Sequence, residues 1–164
     1  MHDKLTRFPR PKGFMRFLAR IPIFMVRAGF GRLLGNRFLV LTHTGRVTGL
    51  QHQVALEVVR YDESKDTYII ASGWGEEADW YRNLLKTPQV GVDAGGRRLR
   101  AIAERLSEEQ AVDELMNYGQ RNPTAIKTLA RIMGYPFDGT EASYQELGTL
   151  LPMIALRIIR EQAA

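Results

Sequence analysis

Residues 38–83 decide the fold of this chain, and they read FLVLTHTGRVTGLQHQVALEVVRYDESKDTYIIASGWGEEADWYRN. The almost wholly apolar run at 38–44 predicts a buried strand. Alternating side chains predict a second strand over 51–61, and a third follows at 67–72 after the polar turn 62–66. Strands in this order, separated by short turns, are typical of an antiparallel sheet.

Three more strands are predicted after this stretch. Residues 89–94 and 97–106 are joined by Gly95-Gly96, a strong hairpin signal because a two-residue turn of this kind needs positive φ angles. A sixth strand is predicted over 150–159. We therefore predict one α+β domain over residues 1–164, with about six mostly antiparallel strands arranged as a sheet or barrel.

Helices are predicted at the ends and corners of this sheet. Ser107 begins a capping box, and Asn122 precedes a proline in the pattern of an N-cap. Pro22 is expected to kink the first helix because it lacks a backbone donor. The predicted helices cover residues 13–34, 76–85, 107–119, 122–134 and 140–147.

Composition excludes several kinds of chemistry. The chain has 164 residues, no cysteine and three histidines. Disulfides, cysteine nucleophiles and thiolate metal sites are therefore excluded, and no pair of histidines has the spacing of a helical zinc site. We expect no bound metal.

Positive charge is concentrated at the start of the chain. Residues 1–37 hold nine Lys or Arg and one acidic residue, a net charge of +8, whereas the other 127 residues carry −3. A basic segment of this kind suits an anionic partner, and it equally suits a helix packed on the domain with its charges in water. Of the anionic partners we expect a membrane surface and no nucleic acid. The apolar run 21–26 is too short to span a bilayer and no secretion signal is evident, so we expect a cytoplasmic protein that can sit at the inner face of the membrane.

Two glycine-rich turns carry the candidate chemistry. In residues 45–49, two glycines permit a tight turn with exposed amides, and Arg46 adds a planar fork for a phosphate or carboxylate. In residues 72–75, two further glycines permit close approach of a ligand, while Trp74 can stack on a ring or cap the barrel. Either turn alone is also typical of an ordinary connection. Together they can hold a phosphorylated, planar redox cofactor.

The order and spacing of three motifs resemble the deazaflavin-dependent nitroreductase and quinone reductase family, whose members bind coenzyme F420 on a split β-barrel. The family pattern T-x-T-G-R-K-S-G-x-x-R falls on residues 42–52, A-S-x-x-G on 71–75, and W-Y-x-N-L on 80–84. The resemblance runs from about residue 11 to residue 160. Each motif is weakly specific alone, and their arrangement carries the likeness.

The resemblance implies a hydride transfer from reduced deazaflavin to a small electron-poor acceptor such as a quinone or a nitro compound, in a chain that can form a homodimer. In such a reaction the cofactor carries the difficult chemistry and the protein orients it. Tyr144 is the implied hydrogen-bond or proton donor, ahead of Tyr118, Tyr135 and His43. The implied cofactor contacts are Thr44, Gly45, Arg46, Val47, Thr48, Gly49, His52, Ala55, Ala71, Ser72, Gly73, Trp74, Gly75, Trp80, Tyr81 and Asn83.

Two positions depart from the family pattern and keep alternatives open. The family's lysine is Val47 here, and its later arginine is His52. With fewer cations to hold an acidic tail, FMN stays an alternative cofactor. A non-catalytic barrel that carries a flavin, a fatty acid or another amphiphile stays an alternative function. For Trp80, the alternative to a cofactor contact is a core anchor of its helix.

Overall fold

A computed structural model of the chain describes residues 24, 28–29 and 31–160. Within this part, six strands form a closed barrel in the order β1-β2-β3-β6-β5-β4, and every neighbouring pair is antiparallel. The predicted α+β barrel and the Gly95-Gly96 hairpin, with φ angles of 56° and 77°, are confirmed. The strands are β1 (Phe38–Thr44), β2 (Gln51–Asp62), β3 (Thr67–Ala71), β4 (Gln89–Ala94), β5 (Arg97–Arg105) and β6 (Met153–Ile158).

Helices cover the outside and one end of the barrel. None of those in the described ranges has the length and apolar character that a membrane span needs. Of the helix predicted over 13–34, the described residues show α1, and the kink at Pro22 lies outside them. The helices are α1 (Gly31–Leu34), α2 (Asp79–Lys86), α3 (Glu108–Arg121), α4 (Pro123–Ile132) and α5 (Glu141–Leu150).

Three local predictions needed correction. The helix predicted over 76–85 is a 3₁₀ turn (Gly75–Glu77) and α2, because Ala78 between them is extended, with φ −61° and ψ 128°. The last strand starts at 153 and not at 150, because α5 continues to Leu150. Ser107 caps α3 as predicted. Asn122 occupies the predicted N-cap position before Pro123, but its side chain makes no capping hydrogen bond and donates to the Tyr118 carbonyl at 3.3 Å.

Two apolar clusters hold the fold together. The first fills the barrel, and the second joins the outer face of the barrel to α3, α4 and α5. Strand alternation assigns side chains to one or the other, so Tyr68 and Ile70 face inward while Ile69 between them faces the helices. Each fully buried leucine or isoleucine contributes about 1.5–3 kcal/mol to folding.

The topology gathers both glycine-rich turns at one end of the barrel. β1 and β3 run in the same direction because each is antiparallel to β2, so both end at the same rim. β4 starts there because it is antiparallel to β1. The turn after β1, the turn after β3 and helix α2 therefore lie together, and we refer to this rim as the α2 end.

Candidate functional site

The turn between β1 and β2, residues 45–50, is closed by its own backbone. The Gly45 amide donates to the Leu50 carbonyl at 2.8 Å, and the Gly49 amide donates to the Gly45 carbonyl at 2.9 Å. A Cβ atom on Gly45 would lie 2.9 Å from His52 Nε2 and 3.0 Å from Thr48 Oγ1, so no larger residue fits without movement. Gly49 has a φ of 71°. The turn needs both glycines for steric reasons.

Arg46 fastens this turn to helix α2. Its backbone N–H and its Nη1 both donate to Asn83 Oδ1 at 3.0 Å, and its Nη2 lies 3.0 Å from Asp79 Oδ1. The Arg46 side chain is 24 % exposed and that of Asp79 is 70 % exposed. The Asp79 carboxylate thus occupies the side of the guanidinium fork that an anionic ligand would use.

Lys86 is a cation of this rim that lies outside the three sequence motifs. Its Nζ donates to the Arg46 carbonyl oxygen at 2.8 Å, which brings a second positive charge to the turn. Asp79, Asn83 and Lys86 follow one another at helical spacings of four and three residues, so they share one face of α2. This helical spacing is the sequence signal from which the position of Lys86 beside Asn83 could have been predicted. Lys86 adds positive charge near a turn in which Val47 and His52 replace the family's cations.

Asn83 links Arg46 to a buried histidine. Asn83 Nδ2 lies 3.1 Å from His43 Nδ1, and both side chains are only 4 % exposed. Burial and, to a smaller extent, the neighbouring His52 lower the pKa of His43 to about 4, against the opposing effect of Asp79. The His43 and His52 rings lie 5.8 Å apart. His43 is therefore neutral at physiological pH.

The turn after β3 is also closed internally. The buried Ser72 hydroxyl donates to the Gly75 carbonyl at 2.7 Å, and the Ser72 amide donates to the Pro152 carbonyl at 2.9 Å. Gly75 has a φ of 62°, which favours glycine. Trp74 is half-buried and packs against the barrel core, so this turn carries more core packing than its glycines suggest. Gly73 is half-buried at the same rim.

Trp80 and Tyr81 point from α2 into the barrel. They are 5 % and 0 % exposed, and Trp80 Nε1 and Tyr81 Oη form no hydrogen bond within the described part of the chain. Burial raises the pKa of Tyr81. An unpaired buried donor costs about 1–3 kcal/mol. The deep burial of Trp80 agrees with the alternative that it anchors its helix in the core. Direct contacts of Trp80 and Tyr81 with a cofactor stay predictions.

Ala55, Ala71 and Tyr144, three other residues of the predicted site, lie on or beside the outer face of the barrel. Ala55 alternates with Val54 and Leu56, which pack on the inner core, so it faces outward from β2. Ala71 and Tyr144 both pack on the cluster between the barrel and the helices. Tyr144 makes an edge contact with Phe137 at 4.9 Å between ring centroids. The structure therefore groups Tyr144 with Ala71, in a different apolar cluster from Trp74 and Trp80.

Two other tyrosines were candidates for proton transfer. The Tyr135 hydroxyl donates to Glu146 Oε2 at 2.8 Å, and burial together with this bond raises its pKa to about 12. Burial raises the pKa of Tyr118, with a further contribution from Glu57 on β2. Tyr135 is thus held by a partner on α5, whereas Tyr118 lies beside the outer face of the barrel.

Two surface cavities lie at the opposite end of the barrel from α2. Their volumes are about 360 and 480 Å³, and both are lined by Arg32 and Arg97 beside the Gly95-Gly96 hairpin. The described lining residues include none of the predicted cofactor contacts. Since charge, glycine geometry and hydrogen bonding converge at the α2 end, we assign the candidate site there. Among the described residues, no cluster of three or more His, Asp or Glu could hold a metal ion.

The barrel and its rim define a split β-barrel protein, and solved structures share this fold. A structure described as an F420-H2 dependent reductase (FDR-A) is 22 % identical, with a TM-score of 0.51 over 76 % of this chain and 96 % of its own. A pyridoxamine 5′-phosphate oxidase-related, FMN-binding protein from Nostoc punctiforme is 12 % identical, with a TM-score of 0.51 over 90 % and 81 %. A chain described as a domain-swapped dimer is 19 % identical, with a TM-score of 0.53 over 88 % and 100 %. At these low sequence identities, the structural similarity establishes the shared fold alone.

Sequence comparison identifies the family. The family model described as F420H(2)-dependent quinone reductase matches residues 21–127. This chain therefore belongs to the F420H(2)-dependent quinone reductase family, and it is an F420-dependent oxidoreductase. No curated protein matches the sequence significantly.

Independently of the family match, the contacts at the α2 end fit an anionic cofactor. A carboxylate already binds the Arg46 guanidinium, so the position accepts an anionic oxygen. Lys86 adds a second cation, and the glycines of both turns allow the backbone to approach a ligand closely.

Proposed function

We propose that this protein transfers a hydride from reduced F420 to a quinone, a nitro compound or a similarly electron-poor small molecule. The observation that carries the proposal is the Arg46 guanidinium, held at the rim by Asn83 and paired with an exposed carboxylate. When bound, the deazaflavin supplies the hydride. The chain's own residues bind and orient it.

Arg46 and Lys86 would hold the acidic tail of the cofactor. Asp79 is largely exposed, so its side chain can swing into water and leave the guanidinium fork to a phosphate or carboxylate oxygen. Pairing at such an exposed site is weak, about 0.2–1 kcal/mol, so the exchange costs little. Lys86, one helical turn from Asn83, adds attraction without a bidentate bond.

The ring would lie beside the 72–75 turn at the α2 end, next to half-buried Ala55 on β2. Half-buried Gly73 and Gly75 bring backbone close to this space, and Trp74 offers a flat side chain at its rim. Tyr144 belongs to the same outer apolar cluster as Ala71, but its hydroxyl lies against Gly119 of α3, so a role as hydrogen-bond donor requires its side chain to turn towards the ring. The acceptor would enter from the solvent side of this surface.

Arg46→Ala tests the binding mode. We expect affinity for oxidised F420 to fall by about 1.5–3 kcal/mol, the range for a hydrogen bond to a charged group. The loss should shrink for a deazaflavin fragment that lacks the anionic tail. Titration of the purified protein, followed by deazaflavin fluorescence, measures both.

Arg98→Ala is the matched control, since it removes the same charge from the β4–β5 hairpin at the other end of the barrel. It should bind F420 like the wild type, and a thermal melt of each variant separates lost binding from lost folding. Equal affinity of wild type and Arg46→Ala for intact F420 removes Arg46 from the site.

We further propose that residues 1–37 bring the enzyme to an anionic membrane, where hydrophobic quinones reside. The net charge of +8 supports this role, because each basic residue near an anionic surface contributes about 1 kcal/mol before screening. We also propose that the protein is cytoplasmic and forms a homodimer.

A further inference from the structure

The orientation of the Asn83 amide is fixed by its neighbours. Oδ1 lies 3.0 Å from both the backbone nitrogen and Nη1 of Arg46. Both of these atoms are obligate donors, so the oxygen of the amide must face them. The Nδ2 group therefore points the other way, towards His43 Nδ1 at 3.1 Å.

This orientation determines where His43 carries its proton. An amide NH₂ group only donates, so His43 Nδ1 must accept and the single proton of the neutral ring sits on Nε2. The ionisable groups that act on His43 are His52 on β2 and Asp79 on α2, while Arg46 binds the other end of the Asn83 amide. Burial keeps the ring neutral among them.

Asn83 offers a ligand little access. Its oxygen accepts two hydrogen bonds, its nitrogen donates one of its two N–H groups to His43, and its side chain is only 4 % exposed. His43 Nε2 is different, because it forms no hydrogen bond with any residue in the described part of the chain. The inward-facing Leu39 and Leu41 precede His43 at intervals of two, so His43 lies on the barrel side of β1 at the α2 end.

We propose that Asn83 is a positioning residue and not a cofactor contact: it aims the Arg46 guanidinium at the anionic tail and locks His43 as an Nε2–H donor at the same rim. The inference rests on the proposed function for the identity of the ligand. The tautomer of His43 does not depend on it. A single amide thus fixes two donors of the site in one arrangement.

Imidazole nitrogen NMR of the ligand-free protein at neutral pH tests the tautomer directly. Wild type should show His43 protonated on Nε2 alone. In Asn83→Asp the neighbouring group accepts and cannot donate, so His43 should become protonated on Nδ1. Asn117→Asp, an exposed change on α3, should leave the His43 signals unchanged. An Nδ1–H tautomer in the wild type overturns the inference without any variant.

F420 titration tests the positioning role. Asn83→Ala keeps Arg46 but removes its anchor, so we expect at least a tenfold loss of affinity and a His43 signal that no longer reports one fixed tautomer. Asn117→Ala is the control. Wild-type affinity in folded Asn83→Ala overturns the positioning role. If wild type fails to bind F420 at all, the proposed function is wrong, while the tautomer result still decides the arrangement of Asn83 and His43.

Discussion

Asp79→Asn should strengthen cofactor binding while weakening the fold. In the ligand-free protein, Asp79 Oδ1 lies 3.0 Å from Arg46 Nη2 and occupies one side of its fork. An anionic tail must displace this carboxylate before it can bind in a bidentate manner. Asparagine keeps the size of the side chain and removes the charge, so the competitor becomes weaker and Arg46 stays in place through Asn83.

The exposure of the pair sets the magnitude. With side chains 24 % and 70 % exposed, the ion pair contributes about 0.2–1 kcal/mol, which corresponds to a gain in F420 affinity of up to about fivefold. Asp79 is also the first residue of α2, where a negative charge stabilises the helix by about 0.3–1 kcal/mol. We therefore expect a loss of about 0.5–2 kcal/mol in unfolding free energy. Added salt should shrink the affinity gain because the pair is solvent-exposed.

Fluorescence titration with F420 at low and moderate salt measures the affinity, and urea unfolding measures the stability. Asp113→Asn removes an exposed acid from α3 and controls for the change in net charge. If Asp79→Asn binds F420 more weakly than wild type while Asp113→Asn does not, Asp79 itself contacts the cofactor and the competition described here is refuted.

Three further predictions concern other parts of the chain. Trp74→Ala should cost about 1–3 kcal/mol of stability and weaken F420 binding, since the indole packs on the barrel core beside a glycine turn; lost stability with unchanged affinity would make Trp74 purely structural. The His43 pKa is lowered from 6.5 to about 4, so the folded protein binds fewer protons than the unfolded chain between these values. Stability should thus be highest above about pH 6.5 and fall by at most about 3 kcal/mol as the pH drops to 4, and His43→Gln should flatten that slope in urea titrations. Residues 1–37 should drive co-sedimentation with anionic but not neutral vesicles, lost at high salt or on deletion of the segment; a soluble fraction unchanged by either treatment would leave the segment without a membrane role.

Local sequence patterns were sufficient for most of the fold. Alternation identified β2, the paired glycines identified the β4–β5 hairpin, and the capping box identified the start of α3. The predicted boundaries of helices and strands were wrong where the sequence has no local signal for them. Ala78 breaks the predicted helix although alanine favours helices, because the chain turns there from the rim to α2. Asn122 occupies the predicted N-cap position, but its side-chain amide donates to the Tyr118 carbonyl of the preceding helix and accepts no capping hydrogen bond.

The sequence was sufficient to predict which residues lie at the site, but not which of them bind one another. The glycines around Arg46 and the spacing of the later motifs indicated an anion-binding rim. That Arg46 pairs with Asp79 follows only from the packing of α2 against the end of β1, thirty-three residues apart in sequence. The role of Lys86 follows from the same packing, although its helical spacing from Asn83 was visible.

Oxidation of reduced F420 by the purified protein tests the central claim most directly. The protein is mixed with reduced F420 and a soluble quinone or nitro compound, and the return of the oxidised deazaflavin absorbance is followed. We predict acceptor-dependent oxidation that requires the protein, is strongly reduced in Arg46→Ala and is retained in Arg98→Ala. Binding of FMN or a fatty acid with no binding or oxidation of F420 would contradict the account and favour a barrel that carries its ligand without catalysis.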